Sequence, residues 1–155
     1  RMDELASWTK APDVAAQAFA GTARYTATFT LGPNARADNW MLDLGEVRDS
    51  ARVRINGRDV GVLVALPFRM LVGDFLQPGE NRIEVEVTNL AANRIRDLDQ
   101  KSQDWRIMKD ANITSVLYKS FDAAMWPLED SGLLGPVRLH PVNRLEPAAN
   151  TPGAQ

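Results

Sequence analysis

Hydrophobic and polar residues alternate with a period of two along several short segments of the chain. In residues 23–31, the odd-numbered positions are Ala, Tyr, Ala, Phe and Leu, whereas the even-numbered positions are one arginine and three threonines. Successive side chains of a β-strand point to opposite faces, so this pattern predicts a strand with one buried and one solvated face. Residues 51–55 and 82–87 show the same alternation, with arginines and glutamates on the polar side. The chain is therefore expected to contain an antiparallel sheet that is exposed on one side.

Turn-forming residues separate these alternating runs. Asn56-Gly57 follows the run at residues 51–55 and precedes Val60, Val62 and Val64, which the alternation places on one face. Asn-Gly between two such runs predicts a β-hairpin, because a type I′ turn needs positive φ at both central positions. Pro78-Gly79 precedes the run at residues 82–87 in the same manner.

The remaining segments complete an all-β prediction. Further strands are expected within residues 40–44, 67–72 and 137–142, and a short helix within 13–20. Residues 93–130 are polar and rich in aspartate, without clean alternation except at 113–118, so they are interpreted as a long loop excursion that leaves the sheets and returns at Gly132. About eight short strands separated by turns favour one antiparallel β-sandwich of jelly-roll type. The predicted domain covers residues 1–146, and residues 147–155 are expected to form a flexible tail.

Composition narrows the functional classes. The 155 residues include 18 basic and 20 acidic side chains and no cysteine. A net charge of -2 without a run of one sign does not favour nucleic acid or an anionic membrane as a partner. The absence of cysteine excludes disulfides, thiolate zinc sites and cysteine nucleophiles. No apolar run approaches the roughly 20 residues needed to cross a bilayer, and the first residues have no signal-peptide core, so the chain is expected to be an excised piece of a longer protein.

An ordered set of short motifs resembles a known family. In chain order they are Trp8-Thr9, Phe19-Ala20-Gly21-Thr22-Ala23-Arg24-Tyr25, Val53-Arg54-Ile55-Asn56-Gly57-Arg58-Asp59-Val60-Gly61, Pro67-Phe68-Arg69, Pro78-Gly79-Glu80-Asn81, Val87-Thr88-Asn89-Leu90, Asn93-Arg94 and Ser131-Gly132-Leu133-Leu134-Gly135-Pro136-Val137. Together they resemble the galactose-binding-like, sugar-binding β-sandwich of large bacterial glycoside hydrolases. The resemblance is greatest to the C-terminal domain of family 106 α-L-rhamnosidases.

This resemblance implies an accessory domain of a secreted or periplasmic α-L-rhamnosidase-like enzyme. The catalytic carboxylates would then lie on a separate barrel outside this chain, so the chain by itself is expected not to be an enzyme. One departure is visible at Val64-Ala65-Leu66, where such domains often place an aromatic residue or a lysine before the Pro-Phe-Arg element. A stacking platform is not expected there.

The candidate carbohydrate contacts lie in the excursion. Sugar recognition combines flat aromatic surface with planar hydrogen-bonding groups. The candidates for the aromatic surface are Trp105, Trp126 and Tyr118. The candidates for the hydrogen-bonding groups are Arg94 and Asn93. Two interpretations remain open: these aromatic residues contact a sugar, or they anchor the excursion against the sandwich while the polar groups are solvated. Arg94 has two further options, which are to bind a carboxylate on a partner domain or to pair with a neighbouring aspartate.

Asp97, Asp99 and Asp104 are weak candidates for a structural calcium site. Calcium takes six to eight oxygen ligands, but these three residues match no EF-hand spacing. A solvated acidic loop is the default interpretation, and otherwise no cofactor is expected.

Catalysis by this chain is not predicted. His140 is the single histidine, so neither a histidine-rich metal centre nor a serine triad is suggested. The favoured function is a non-catalytic carbohydrate-binding domain, with a rhamnose-containing glycan as the candidate ligand. The alternative is a structural or protein-interaction module that braces the catalytic domain of the parent enzyme.

Overall fold

The structure is a computed structural model that describes residues 4–107 and 121–144. Within these residues the chain forms nine strands and two short α-helices. The strands are β1 (Thr22–Leu31), β2 (Asn39–Asp43), β3 (Glu46–Arg48), β4 (Ser50–Ile55), β5 (Arg58–Leu63), β6 (Arg69–Leu71), β7 (Gly79–Thr88), β8 (Gly132–Gly135) and β9 (Arg138–Val142). The helices are α1 (Val14–Gln17) and α2 (Ala92–Gln100), and single 3-10 turns occur at Trp8–Lys10 and Gly73–Phe75.

The strands form antiparallel sheets that enclose one core, so the predicted all-β sandwich is confirmed. A four-stranded sheet has the order β1-β7-β4-β5, a three-stranded sheet has the order β6-β2-β9, and β3 pairs with β8. Buried side chains from all three sheets, and from the connections next to β2 and β6, make up the core. They are Leu42, Leu44, Val47, Ala51, Val53, Ile55, Phe68, Val72, Ile83, Val85, Val87 and Leu133.

The outer face of the four-stranded sheet is charged, as the alternation predicts. Arg24 and Arg54 approach the Glu86 carboxylate from either side at 2.6 and 3.0 Å, and Arg52 pairs with Asp59 at 2.7 Å. The arginines of two of these pairs, Arg24 and Arg52, are 62% and 47% exposed, so water screens their charges and the pairs add little to stability. Their main consequence is a polar outer surface that leaves the opposite face for the core.

The Asn56-Gly57 hairpin is confirmed, but the face assigned to the valines after it is wrong. Asn56 and Gly57 have φ of 53° and 77°, the positive values that a type I′ turn requires. The register between β4 and β5 then shifts between Val53 and Arg54. Such a bulge inserts one extra residue and reverses the alternation beyond it. As a result Val60 and Leu63 pack against the core, whereas Val62 is 57% exposed.

The polar segment after β7 begins with a helix rather than an irregular loop. α2 covers Ala92–Gln100, and its only aliphatic side chains beyond alanine are Ile95 and Leu98. A helix with so narrow an apolar stripe gives little periodic signal in the sequence.

No helix among the described residues is long and apolar enough to span a bilayer.

Candidate functional site

Asn93 fastens the start of α2 to the point where the excursion returns to the sandwich. Its amide Nδ2 donates to the Glu129 carbonyl at 2.7 Å, and its Oδ1 accepts from the Glu129 N–H at 2.9 Å. Only 3% of the residue is exposed. Asparagine is suited to this contact because its amide offers a donor and an acceptor side by side. The structure therefore gives this side chain a positioning role.

The same helix holds the excursion at two further points. Arg96 Nε donates to the Trp126 carbonyl at 2.8 Å, and Gln100 Nε2 donates to the Ala124 carbonyl at 2.9 Å. Arg96 Nη1 also donates to Gln100 Oε1 at 3.1 Å, which aligns the two side chains. Residues 124–126 are therefore fixed along one side of α2.

Asp99, near the end of α2, organises the centre of the excursion. Its carboxylate accepts from Trp105 Nε1 at 2.6 Å and from the Ala123 N–H at 2.8 Å, and Arg106 Nη2 lies 2.9 and 3.0 Å from its two oxygens. Its side chain is only 4% exposed. Burial raises the pKa of Asp99, but hydrogen bonds from Ala123 and Trp105 and the charge of Arg106 outweigh burial and bring the pKa below its ordinary value of 3.8.

Three aromatic rings pack edge to face in a row that begins at Trp105, the indole bound to this carboxylate. The ring centroids of Trp105 and Phe121 are 6.3 Å apart, and those of Phe121 and Trp126 are 5.3 Å apart. The Arg106 guanidinium lies 5.1 Å from the Trp105 ring and donates to the Phe121 carbonyl at 2.7 Å. Phe121 is thus the middle member of the cluster, and Trp126 at its outer end is 40% exposed.

A shallow polar pocket of about 420 Å³ opens beside the cluster. Its lining consists of Asp99, Ser102, Gln103, Asp104, Arg106, Phe121 and Asp122. The pocket therefore presents one aromatic ring among amide, hydroxyl, carboxylate and guanidinium groups. That combination matches the apolar and hydroxylated faces of a sugar ring.

The structure brings together some of the residues that the sequence suggests and separates others. Trp105 and Trp126 belong to one cluster, while Asn93 is buried at the other end of α2. Arg94 Nη1 lies 3.2 Å from Asp97 Oδ2, so it makes the aspartate pairing that the sequence leaves open. Tyr118 lies outside the described residues.

Sequence reasoning misses Phe121 and Arg106. Phe121 stands alone in a segment without periodicity, and Arg106 directly follows Trp105. The adjacent aromatic and cationic residues at positions 105 and 106, with several aspartates just before them, are the signal that could have found this part of the site.

Two of the three calcium candidates, Asp97 and Asp99, have carboxylates that neighbouring cations and N–H donors already engage. Lys101 Nζ lies 2.7 Å from Asp97 Oδ1, and Arg94 Nη1 lies 3.2 Å from Asp97 Oδ2. The Asp99 carboxylate accepts hydrogen bonds from Trp105 and Ala123 and pairs with Arg106. A calcium ion needs six to eight oxygen ligands that face it. Among residues 4–107 and 121–144, no group of three or more His, Asp or Glu side chains could hold a metal ion.

Comparison with known proteins relates the chain to glycoside hydrolases. It is 35% identical, over 158 aligned positions, to a protein of Formosa agariphila whose name marks it provisionally as a beta-glucuronidase; the match covers 90% of this chain. A rhamnosidase structure from Novosphingobium sp. PP1Y superimposes with a TM-score of 0.70 and 32% identity over 89% of this chain. A beta-glucuronidase from Bifidobacterium dentium superimposes on 56% of the chain with a TM-score of 0.51 and 26% identity. No family model matches the sequence.

The chain is thus related to one domain-sized part of much larger hydrolases. It spans only 14% of the Formosa agariphila protein and 12% of the Novosphingobium rhamnosidase. The resemblance to glycoside hydrolases found in the sequence motifs is confirmed at this level.

Proposed function

We propose that this chain is a non-catalytic accessory domain of an α-L-rhamnosidase-like glycoside hydrolase and that it binds carbohydrate beside Phe121. The observation that carries the proposal is the polar pocket of about 420 Å³ next to the aromatic cluster. The coverage of 12% of the Novosphingobium rhamnosidase supports the accessory role, because most of such an enzyme would lie outside this chain. The parent enzyme is then expected to act in the periplasm or outside the cell.

Hydrolysis within this pocket is not expected. A glycosidase needs a carboxylic acid whose pKa is raised by an apolar environment, paired with a second carboxylate. Asp104 and Asp122 at the rim are solvent-exposed, and Asp99 is occupied by Trp105 and Arg106. The carboxylates that perform hydrolysis would therefore belong to another domain of the parent enzyme.

Weak binding is the expected outcome. An aromatic contact contributes about 0.5 to 1.5 kcal/mol beyond its burial, and a Kd of 1 mM corresponds to about 4 kcal/mol. A shallow pocket with one ring and several exposed polar groups should therefore reach millimolar affinity for a single sugar. Extra contacts with an oligosaccharide that reaches Trp126 would add to this.

Isothermal titration with rhamnose-containing oligosaccharides tests the proposal. Saturable binding is expected for the unmodified chain, and Gln103→Ala and Trp126→Ala should each weaken it about threefold to tenfold, equivalent to roughly 0.7 to 1.4 kcal/mol. Arg138→Ala on β9 serves as a control because Arg138 is exposed and lies outside the pocket. Absence of saturable heat, or equal losses in all three variants, would refute carbohydrate binding at this site.

A brace for the catalytic domain is the second candidate, and a separate observation favours it. Near its end the excursion exposes neighbouring large apolar side chains, with Met125 91%, Trp126 40% and Leu128 38% exposed. Exposed apolar side chains in one segment are typical of a surface that another domain covers. A brace predicts no response to any oligosaccharide, and a loss of thermal stability in the parent enzyme when Met125 is changed to lysine.

A further inference from the structure

Strand β1 ends the four-stranded sheet and has one neighbouring strand among the described residues, β7. The two strands pair over ten positions in unbroken register, from Thr22 opposite Thr88 to Leu31 opposite Gly79. The other edge of β1 is therefore a long, regular row of backbone groups.

Backbone hydrogen bonds on either side of β7 show which residues face that open edge. The Asn89 N–H donates to the Gly21 carbonyl at 3.3 Å, so odd-numbered residues of this strand pair exchange hydrogen bonds with each other. The Asp49 N–H donates to the Thr88 carbonyl at 3.0 Å, which places the even-numbered residues of β7 toward β4. By the same alternation, the even-numbered residues of β1 direct their N–H and C=O groups away from β7. They are Thr22, Arg24, Thr26, Thr28 and Thr30.

Among the described residues, this edge lacks three features by which proteins protect an unpaired strand. Proline, a bulge or an inward-pointing charge normally prevents an edge from pairing with another strand. β1 contains no proline, and its register with β7 has no bulge. Its one charged residue, Arg24, lies on the outer face and is paired with Glu86 at 2.6 Å.

An apolar cleft of about 620 Å³ opens directly beside this edge, on the core side of β1. Its apolar lining includes Leu5, Tyr25, Ala27, Ile83, Leu133 and Val137. A strand added to β1 would direct every second side chain toward this cleft. The edge therefore offers backbone hydrogen bonds and an apolar cavity to the same ligand.

We propose that an extended segment of the parent glycoside hydrolase, with apolar residues at alternate positions, adds to β1 as a fifth strand and fills the cleft. This rests on the proposed role as one domain of a larger enzyme, since the chain spans 14% and 12% of its relatives. A second copy of this chain fits less well. If two β1 edges paired about a two-fold axis at Thr26, the cleft of one copy would lie beside the cleft of the other. Tyr25 would not fill the neighbouring cleft, because its hydroxyl is held inward by a hydrogen bond of 3.2 Å from the Leu133 N–H.

Amide hydrogen exchange measured by NMR on the whole chain tests the proposal. The probe is a capped peptide of alternating threonine and valine with a lysine at each end, at millimolar concentration. In the chain without peptide, the amides of Thr26 and Thr28 should exchange fast, and those of Tyr25 and Ala27 slowly. With the peptide, the amides of Thr26 and Thr28 should gain about tenfold protection.

Two variants at one position separate strand addition from nonspecific binding. Thr28→Pro removes an edge-facing N–H and leaves the bonds to β7 in place, whereas Thr28→Val keeps that N–H. Peptide-induced protection should be lost in Thr28→Pro and kept in Thr28→Val, with the odd-numbered amides slow in both. Slow exchange at Thr26 without peptide, no protection at millimolar peptide, or protection that grows with protein concentration alone would overturn the proposal. The result is independent of the sugar titration, which reports on the pocket at Phe121.

Discussion

The carboxylate of Asp99 accepts a hydrogen bond of 2.6 Å from the indole Nε1 of Trp105. This bond joins the last turn of α2 to the aromatic cluster, and the same carboxylate holds Arg106 and the Ala123 N–H. One side chain thus fixes three separate parts of the excursion. The geometry of the candidate sugar pocket depends on it.

Replacing Asp99 by alanine should unfold the excursion more readily than the sandwich. The change leaves the Trp105 indole, the Ala123 N–H and the Arg106 guanidinium without their shared acceptor, at a cost of about 3 kcal/mol. Urea titration followed by tryptophan fluorescence should show the loss, and an unchanged midpoint would contradict it. Asp97→Ala is the matched control on the same helix; its ion pairs are with exposed partners and should contribute less than about 1 kcal/mol.

Acid should weaken the contribution of Asp99. Its pKa in the folded protein lies below the ordinary value of 3.8, so its ionised form is favoured by folding. The stabilisation is fully present above the unfolded pKa and is lost as the pH falls through the folded pKa. The difference in unfolding free energy between the unmodified chain and Asp99→Asn should therefore stay constant above about pH 5 and shrink below about pH 4. A difference that grows on acidification would contradict this assignment.

Asn93 and Arg94 are adjacent in sequence but should respond differently to substitution. Asn93→Asp replaces the amide donor to the Glu129 carbonyl with a carboxylate and should cost about 2 kcal/mol of unfolding free energy. Arg94→Ala removes an exposed pair with Asp97 and should cost less than about 0.5 kcal/mol. Thermal unfolding followed by circular dichroism compares the two variants. Equal effects would show that Asn93 does not hold the excursion in place.

Gly45 should tolerate no side chain. Its φ is +66°, and a Cβ there would lie 2.5 Å from the backbone carbonyl carbon of Gly135. Gly45→Ala combines left-handed backbone strain with a clash between two backbones, so a loss of about 3 kcal/mol is expected. Gly32→Ala is the control, because nothing lies within 4 Å of its Cβ position. Urea midpoints of the two variants should differ clearly, and equal midpoints would contradict the close approach.

The sequence predicts the long strands better than it predicts bulges in their register or the short strands. Alternation marks β1, β4 and β7 because each has one buried face and one polar face. Alternation does not reveal the bulge after Val53. The residues that would show which face is buried there, Val60, Val62 and Val64, are all apolar and so could lie on either face. β3 has three residues, and β8 has four, of which two are glycines. Neither strand is therefore long enough to show a period in the sequence.

The candidate site is less accessible to sequence reasoning for a physical reason. Its geometry depends on contacts such as Asp99 with Ala123, which are 24 positions apart and follow no repeat. Residue type identifies Trp105 and Trp126 as candidates, but only the fold shows that Phe121 lies between them. For Asn93 the residue type suggests a sugar contact, but the fold buries the side chain away from the pocket.

Carbohydrate binding at the Phe121 pocket can be followed through the indole N–H signals of the four tryptophans in a two-dimensional NMR titration. Trp105 and Trp126 adjoin the pocket through Phe121, whereas Trp40 packs against the sandwich core and Trp8 contacts Phe19. Addition of a rhamnose-containing oligosaccharide should shift the Trp105 and Trp126 signals saturably at millimolar concentration and leave Trp8 and Trp40 unchanged. If no indole signal moves, or if only those of Trp8 and Trp40 do, the chain does not bind carbohydrate where we propose.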